Sequence, residues 1–181
     1  MDVLRHSNQM IHFAIKDNLN SWNLTVVYGS PHPQFRIELW RDLKKIASEI
    51  RGAWSLIADF NAVLADNERQ GGSLTSCHRG DNAFRELVRE CNLINMGYQG
   101  NPFTWRRGML YEQLYRVLMN LEWQLTFPQA DVFHLNLMKS DHCPLLLKFD
   151  TSWQASRCRR PFRFEAAWLT HPDFSNQIRS N

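Results

Sequence analysis

The chain of 181 residues is 44% hydrophobic and 12% aromatic with a net charge of +3, and its isoelectric point is near 8.8. That is enough apolar material for the core of one ordinary domain, which excludes a disordered tail, and the mildly basic balance permits a polyanionic partner without demanding one. Cys77, Cys91, Cys143 and Cys158 form no Cys-x-x-Cys pair and have no nearby His at zinc-knuckle spacing, which argues against a structural metal cluster and for reduced thiols in an intracellular protein.

No apolar run is long enough to cross a bilayer, and residues 1–6 lack the apolar core of a signal peptide. The expectation is a protein of the nucleus or the cytoplasm, with no membrane and no small-molecule cofactor as partner. Oligomeric state is left open.

Residues 10–16 (Met-Ile-His-Phe-Ala-Ile-Lys) and 24–28 (Leu-Thr-Val-Val-Tyr) read as two strands joined by the turn-forming residues 17–21. Gly29, Pro31 and Pro33 break the second strand, and Phe35, Ile37, Leu39, Leu43, Ile46 and Ile50 continue at helical spacing, which predicts a helix over residues 33–51. The apolar run 54–58 follows as a strand ending at Asp59. On an extended strand Asp59 and Asn61 point to one face and Phe60 to the other, so two polar tips emerge together.

A polar, glycine-containing loop leads to a second amphipathic helix, with Phe84, Leu87, Val88 and Cys91 on one face, ending near Asn92. Turns at Gly97, Gly100 and Pro102 precede short strands over 103–105 and 113–118. A short helix over 121–126, a strand over 131–137, the Ser140-Asp141-His142 loop and a closing strand over 145–149 complete the pattern. Past Asp150, residues 156–161 form a basic linker, and residues 162–169 carry more apolar bulk than a free tail should. Strands interspersed with helices predict an α/β chain with a mixed sheet.

Hydrolysis of a phosphodiester needs a metal to neutralise developing charge, a base to position or deprotonate water, and a cation or acid to stabilise the leaving oxygen. Asp59, Asn61, Asp141 and His142 are residue types suited to that task, and a carboxylate bonded to an imidazole fixes its tautomer and raises its basicity. Each motif has a blander reading, Asp-x-Asn as a turn or helix cap and Ser-Asp-His as a chance triplet. Their occurrence at two strand ends favours the functional one. Tyr28 can aim a phenol at a phosphate or serve as a structural hydroxyl. Phe103 and Trp105 read as core anchors ahead of base-stacking platforms, and His134, inside an apolar strand pattern, reads as packing.

Taken in order, residues 26–31 (Val-Val-Tyr-Gly-Ser-Pro), 57–61 (Ile-Ala-Asp-Phe-Asn), 101–105 (Asn-Pro-Phe-Thr-Trp), 113–116 (Gln-Leu-Tyr-Arg) and 140–144 (Ser-Asp-His-Cys-Pro) resemble the endonuclease/exonuclease/phosphatase superfamily. More narrowly they resemble the endonuclease domain of plant non-LTR (LINE-type) retrotransposon polyproteins, and residues 160–165 resemble the segment leading from that domain toward the reverse transcriptase. The resemblance implies a two-sheet α/β sandwich, incomplete at its N-terminus, over residues 1–150, with 151–181 as linker and tail. It also implies magnesium-dependent nicking of DNA, with the active site at one end of the sheets. By position, Asp59 and Asn61 would contact the attacking water and the phosphate, Asp141 would serve the metal and orient His142, and Tyr28 would contact the phosphate.

Three departures from the family pattern predict little or no activity. The family's early asparagine and metal-binding glutamate have no counterpart, Tyr115 stands where an aspartate is usual, and Ala58 replaces a glycine before Asp59. Lost strands should also leave an exposed sheet edge and apolar surface. The alternatives are a phosphatase or phosphodiesterase of the same superfamily, and a non-catalytic nucleic-acid-binding remnant using Arg106, Arg107, Arg157, Arg159 and Arg160.

Overall fold

The computed structural model describes residues 1–72, 80–136 and 140–149, so the tail expected after Asp150 lies outside the described residues, as do Cys77, His78 and Cys158. The chain opens with three antiparallel strands, β1 (Asp2–His6), β2 (Met10–Lys16) and β3 (Ser21–Tyr28). Helix α1 (Pro33–Glu49) then carries the chain back, so that β4 (Trp54–Asp59) pairs parallel to β3. Such a pairing requires a crossover of this kind.

After a single 3-10 turn (Asp66–Glu68) come β5 (Arg69–Gln70), α2 (Asn82–Glu90), β6 (Ile94–Asn95) and β7 (Gln99–Gly100). The hairpin of β8 (Trp105–Arg107) and β9 (Leu110–Glu112), strand β10 (Tyr115–Met119), α3 (Leu121–Thr126), β11 (Asp131–His134) and β12 (Leu145–Lys148) finish the domain. The expected helices over 33–51, near 84–91 and over 121–126 are present with ends displaced by no more than a few residues. The opening strand β1 and the short strands β5 and β9, which carry little alternation, have no signal in the sequence.

A six-stranded sheet runs in the order β1-β2-β3-β4-β10-β6, a three-stranded sheet is β12-β11-β7, and a small third sheet is β5-β9-β8. Two cores follow from the alternation of the central strands. On one face Trp54, Leu56, Ala58, Val27, Met10 and Leu118 meet Leu39, Trp40, Leu43 and Ile46 of α1 and Phe84 and Leu87 of α2. Trp40, Phe60 and Phe84 form a ring cluster there, with centroids 4.6 to 6.3 Å apart. On the other face Trp22, Val117 and Met119 pack with Trp123 and Val132, backed by Ile57, Leu145 and Leu147. The large sheet is thus the middle layer, with α1 and α2 on one side and the smaller sheet and α3 on the other, and the methyl of Ala58 belongs to the core under α1 and α2.

Polar groups hold the layers in register. Asp81 caps α2 by accepting from the backbone N–H groups of Ala83 and Phe84, and its other oxygen takes a 2.8 Å bond from the buried Arg36 of α1. Asn120 caps α3 by accepting from Trp123 N, and its side chain also bonds the backbone of Trp54 and Gly52. Each such cap contributes about 1 kcal/mol. The second face is covered unevenly. Ile11 and Val26, which pair across β2 and β3, are each about two-fifths exposed, and Val3 beyond them more so. No helix among the described residues is long and apolar enough to cross a membrane.

Candidate active site at the ends of the central strands

Three adjacent strand ends place the site. Asp59 is the last residue of β4, Tyr28 pairs with it from β3, and Tyr115 pairs with it from β10. Residues directly opposite each other in a sheet share a face, so these three side chains emerge together on the face of Ile57, away from α1 and α2. Gly29 lets the neighbouring loops close over this end: its N–H donates to Asp59 O at 2.8 Å, and a Cβ there would lie 2.6 Å from the carbonyl oxygen of Phe60. Only a residue without a side chain fits.

Asn61 arrives beside Asp59 by a route other than strand alternation. The strand ends at Asp59, and Asn61 adopts a left-handed conformation with φ of 47°, which asparagine tolerates better than most residues. Its N–H donates to Asp59 Oδ1 at 3.0 Å and its side-chain amide donates to Gly29 O at 2.8 Å. The amide is therefore committed to holding the loop, and its remaining oxygen is what it can offer to a ligand.

Asp59 is buried, only 7% exposed, and its Oδ2 has no hydrogen-bond partner. Burial pushes its carboxyl above the ordinary value, opposed by the Asn61 N–H and by the nearby His142 and Tyr115. Directly across, the Tyr115 phenol shares a 2.8 Å hydrogen bond with Nδ1 of His142, and the two rings stack at 5.4 Å. Burial first, then the charges of Asp59, Tyr28 and Asp141, push this phenol up to about 12.

His142 reaches the site from the loop before β12, which is held against the third sheet by a bridge between Trp105 and His142 and by bonds from Cys143 N to Thr104 O and from Arg106 N to Asp141 O. Asp141 does not hydrogen-bond the imidazole: its Oδ1 is 4.0 Å from Nε2, while its Oδ2 accepts from the Trp105 indole at 3.2 Å. The group that bonds His142 is Tyr115, from the position where the resemblance leads one to expect an aspartate. Trp105 is half-buried at the site and is not the core anchor its apolar bulk suggested. His134 is packing, as expected: it is buried, stacks on Tyr98 at 4.3 Å and bonds Asn101 O through Nδ1.

Beside these residues opens a groove of about 720 Å³ whose lining includes Tyr28, Asn61, Arg69, Trp105, Arg107 and His142. Tyr28 is 64% exposed at its rim. Arg69 is paired with Glu112 at 3.0 Å, whereas Arg107 has no acidic partner among the described residues. Behind the site, Arg116 points to the opposite face of β10, buried, and makes two bonds of 2.8 and 2.7 Å to the carboxylate of Glu68. Glu68, Arg36 and Asp81 carry no local signal of these roles, because their partners lie about 45 residues away in sequence.

Asp59 and Asp141 are the carboxylates nearest His142, and among the described residues no group of three or more His, Cys, Asp or Glu converges on a point that could hold a metal ion. The residues described here do not by themselves assemble a magnesium site, since such a site draws on several oxygen ligands around one point.

Comparison with known proteins separates fold from lineage. No protein-family model and no curated protein sequence matches the chain. Solved structures do match. A 3'-5' exonuclease from Neisseria meningitidis superposes with a TM-score of 0.57 at 20% identity, over 78% of this chain and 65% of that one. The endonuclease domain of a telomere-specific non-LTR retrotransposon superposes with 0.56 at 16% identity, over 81% and 67%. The fold is of the endonuclease/exonuclease/phosphatase type.

Beta toxin from Staphylococcus aureus, solved with bound magnesium ions, extends that likeness with a TM-score of 0.51 at 11% identity, over 78% of this chain and 54% of that one. The chain spans between about half and two thirds of the length of these structures. The α/β sandwich expected from the ordered motifs is present.

Proposed function

We propose that the chain is a DNA endonuclease domain of retrotransposon type, built to act on a phosphodiester and left with little or no nicking activity. The observation that carries this reading is the convergence of Tyr28, Asp59, Asn61, Tyr115, Asp141 and His142 at one end of the central strands, beside a groove that contains Arg107, which has no acidic partner among the described residues. The ordered motifs that resemble LINE-type endonucleases supply the substrate class.

The chemistry available to these side chains is limited. A backbone phosphate in the groove meets Arg107, which supplies charge, and Tyr28, which supplies a hydroxyl donor. His142 is the group able to exchange a proton with an attacking water or a departing oxygen. Its Nδ1 is taken by Tyr115, so Nε2 is the ring nitrogen that meets substrate. Negative charge developing on the phosphoryl oxygens has little to compensate it, because the nearby carboxylates add negative charge and no complete metal-ligand set is present among the described residues. Groups that act as a unit lose several orders of magnitude in rate when part of the unit is missing. Magnesium, expected from the resemblance, supplies the missing positive charge only if further ligands complete its shell.

The test is nicking of supercoiled plasmid with magnesium, beside a control carrying Asp141→Ala and His142→Ala. Robust nicking by the native chain that the control lacks overturns the reading of low activity. A second reading, a non-catalytic DNA-binding domain, draws on Arg106 and Arg107, both exposed at the β8–β9 hairpin. Salt-sensitive DNA binding without metal-dependent cleavage favours it.

A further inference from the structure

The second face of the large sheet stays apolar past the point where the core on that face ends. Ile15 and Trp22 pair across β2 and β3 and belong to that core. Alternation sets the next pairs, Phe13 with Leu24 and Ile11 with Val26, on the same side, and Val3 of β1 pairs with Phe13 beyond them. Exposure rises along these rows: Trp22 is buried, Phe13 and Leu24 are half-buried, and Ile11, Val26 and Val3 are 41%, 42% and 57% exposed. Single exposed apolar side chains need no explanation, whereas contiguous rows that continue a core mark a surface built to be covered.

The described part of the chain ends on this same face. Phe149, the residue after β12, sits against Trp22 at 5.6 Å and Phe127 at 5.0 Å. Residues 150–181 follow, and within them residues 162–169 (Phe-Arg-Phe-Glu-Ala-Ala-Trp-Leu) hold six apolar residues in eight. Phe162 and Phe164 alternate with Arg163 and Glu165, a pattern that gives an extended segment one apolar side and one charged side.

We propose that residues 162–169 dock on the exposed face of β1, β2 and β3, with Phe162 and Phe164 seated over Ile11 and Val26 and the charges of Arg163 and Glu165 turned to water. The tether is long enough. Residues 150–161 span about 20 Å on average even when coiled at random, and the path from Trp22 to Val26 is about 13 Å at roughly 3.3 Å per residue. A tether of this length holds the segment at about millimolar effective concentration, so a small patch suffices to capture it. A second copy lacks that advantage and needs about 800 Å² from each partner, several times what the partly exposed Val3, Ile11 and Val26 side chains present. The rows also run toward Tyr28, two residues past Val26 on β3, which brings the docked segment to the edge of the groove that Tyr28 lines.

The experiment is NMR of the intact chain labelled at Ile and Val methyls and at Phe rings, with a soluble paramagnetic probe added in a second series. The native chain is expected to show nuclear Overhauser contacts from the Ile11 and Val26 methyls to the ring of Phe162 or Phe164, with little broadening of those methyls by the probe. Phe162→Ser combined with Phe164→Ser alters only the tail. It is expected to abolish the contacts and raise the broadening several-fold, while the fully buried methyls of Val117 and Val132 stay unchanged. Equal, strong broadening in both chains overturns the proposal, because nothing then covers the face. Equal protection in both overturns it in favour of a second copy or another partner, and contacts that fade on dilution overturn docking within one chain in favour of exchange between copies.

Discussion

Replacing Glu68 with alanine tests whether the structure's account of the buried ion pair behind the site is right. The Arg116 side chain is 1% exposed and its guanidinium makes three bonds, two to the Glu68 carboxylate and one of 2.8 Å to Gln113 O, while its Nε has no partner. It also sits over the Phe84 ring at 5.5 Å, so its surroundings are apolar core. Removing the carboxylate leaves a buried cation with one acceptor, and breaking such a pair from one side costs about 3 to 5 kcal/mol. With a urea m-value of roughly 2 kcal/mol/M, the unfolding midpoint falls by about 1.5 to 2.5 M. Replacing both partners together, Glu68→Met with Arg116→Met, removes the stranded charge and recovers most of the loss. Full recovery is not expected, because Glu68 Oε2 also accepts from Leu64 N at 2.6 Å, and that donor then loses its partner. The assay is equilibrium urea unfolding followed by tryptophan fluorescence. A single-variant loss below about 1 kcal/mol, or a double variant worse than the single, refutes the reasoning.

Three further outcomes are expected. Gly29→Ala drives a methyl into the Phe60 carbonyl at 2.6 Å and should cost about 1 to 3 kcal/mol in thermal unfolding; a change near zero would show that the loop relaxes freely. A spectrophotometric titration should find one of the four tyrosines ionising near 12, absent in Tyr115→Phe. Because that folded value is raised, the associated stability is fully present below the ordinary tyrosine value near 10 and is lost as pH rises through about 12. Four tyrosines titrating together near 10 would contradict the buried phenol. Arg107→Ala should weaken binding to DNA of any sequence and lower the slope of log affinity against log salt by about one; an unchanged slope would place the DNA elsewhere.

Asp59 gives a pH test with the opposite sense from a surface ion pair. Its carboxyl is raised by burial, so the stability it contributes is complete below the ordinary carboxylate value and is lost as pH rises through the raised folded value. Asp59→Asn should therefore be at least as stable as the native chain at neutral pH, with the advantage shrinking as the solution is acidified. Denaturant midpoints measured along a pH series decide it, and an advantage that grows on acidification would refute the burial argument.

The sequence by itself determined the elements that repeat with a period. Leu39, Leu43 and Ile46 recur at helical spacing and form α1, and the run before Asp59 is a strand because its alternate side chains fill two different cores. It also placed the candidate residues at strand ends, since turn-forming residues follow apolar runs at Tyr28 and Asp59. What it could not supply is which groups touch. Periodicity reports the face of an element, whereas the Tyr115–His142 and Arg116–Glu68 bonds join residues 27 and 48 positions apart. Asn61 shows the limit at short range as well: alternation aims it correctly, but a left-handed turn and a bond to Gly29 put it there. Only packing of the sheets brought the Ser140-Asp141-His142 loop against β8 and β10. That packing gave the imidazole a tyrosine for a partner in place of the aspartate one residue before it, because a neighbour in sequence points wherever its own loop directs it and a neighbour in the sheet is held there by the register.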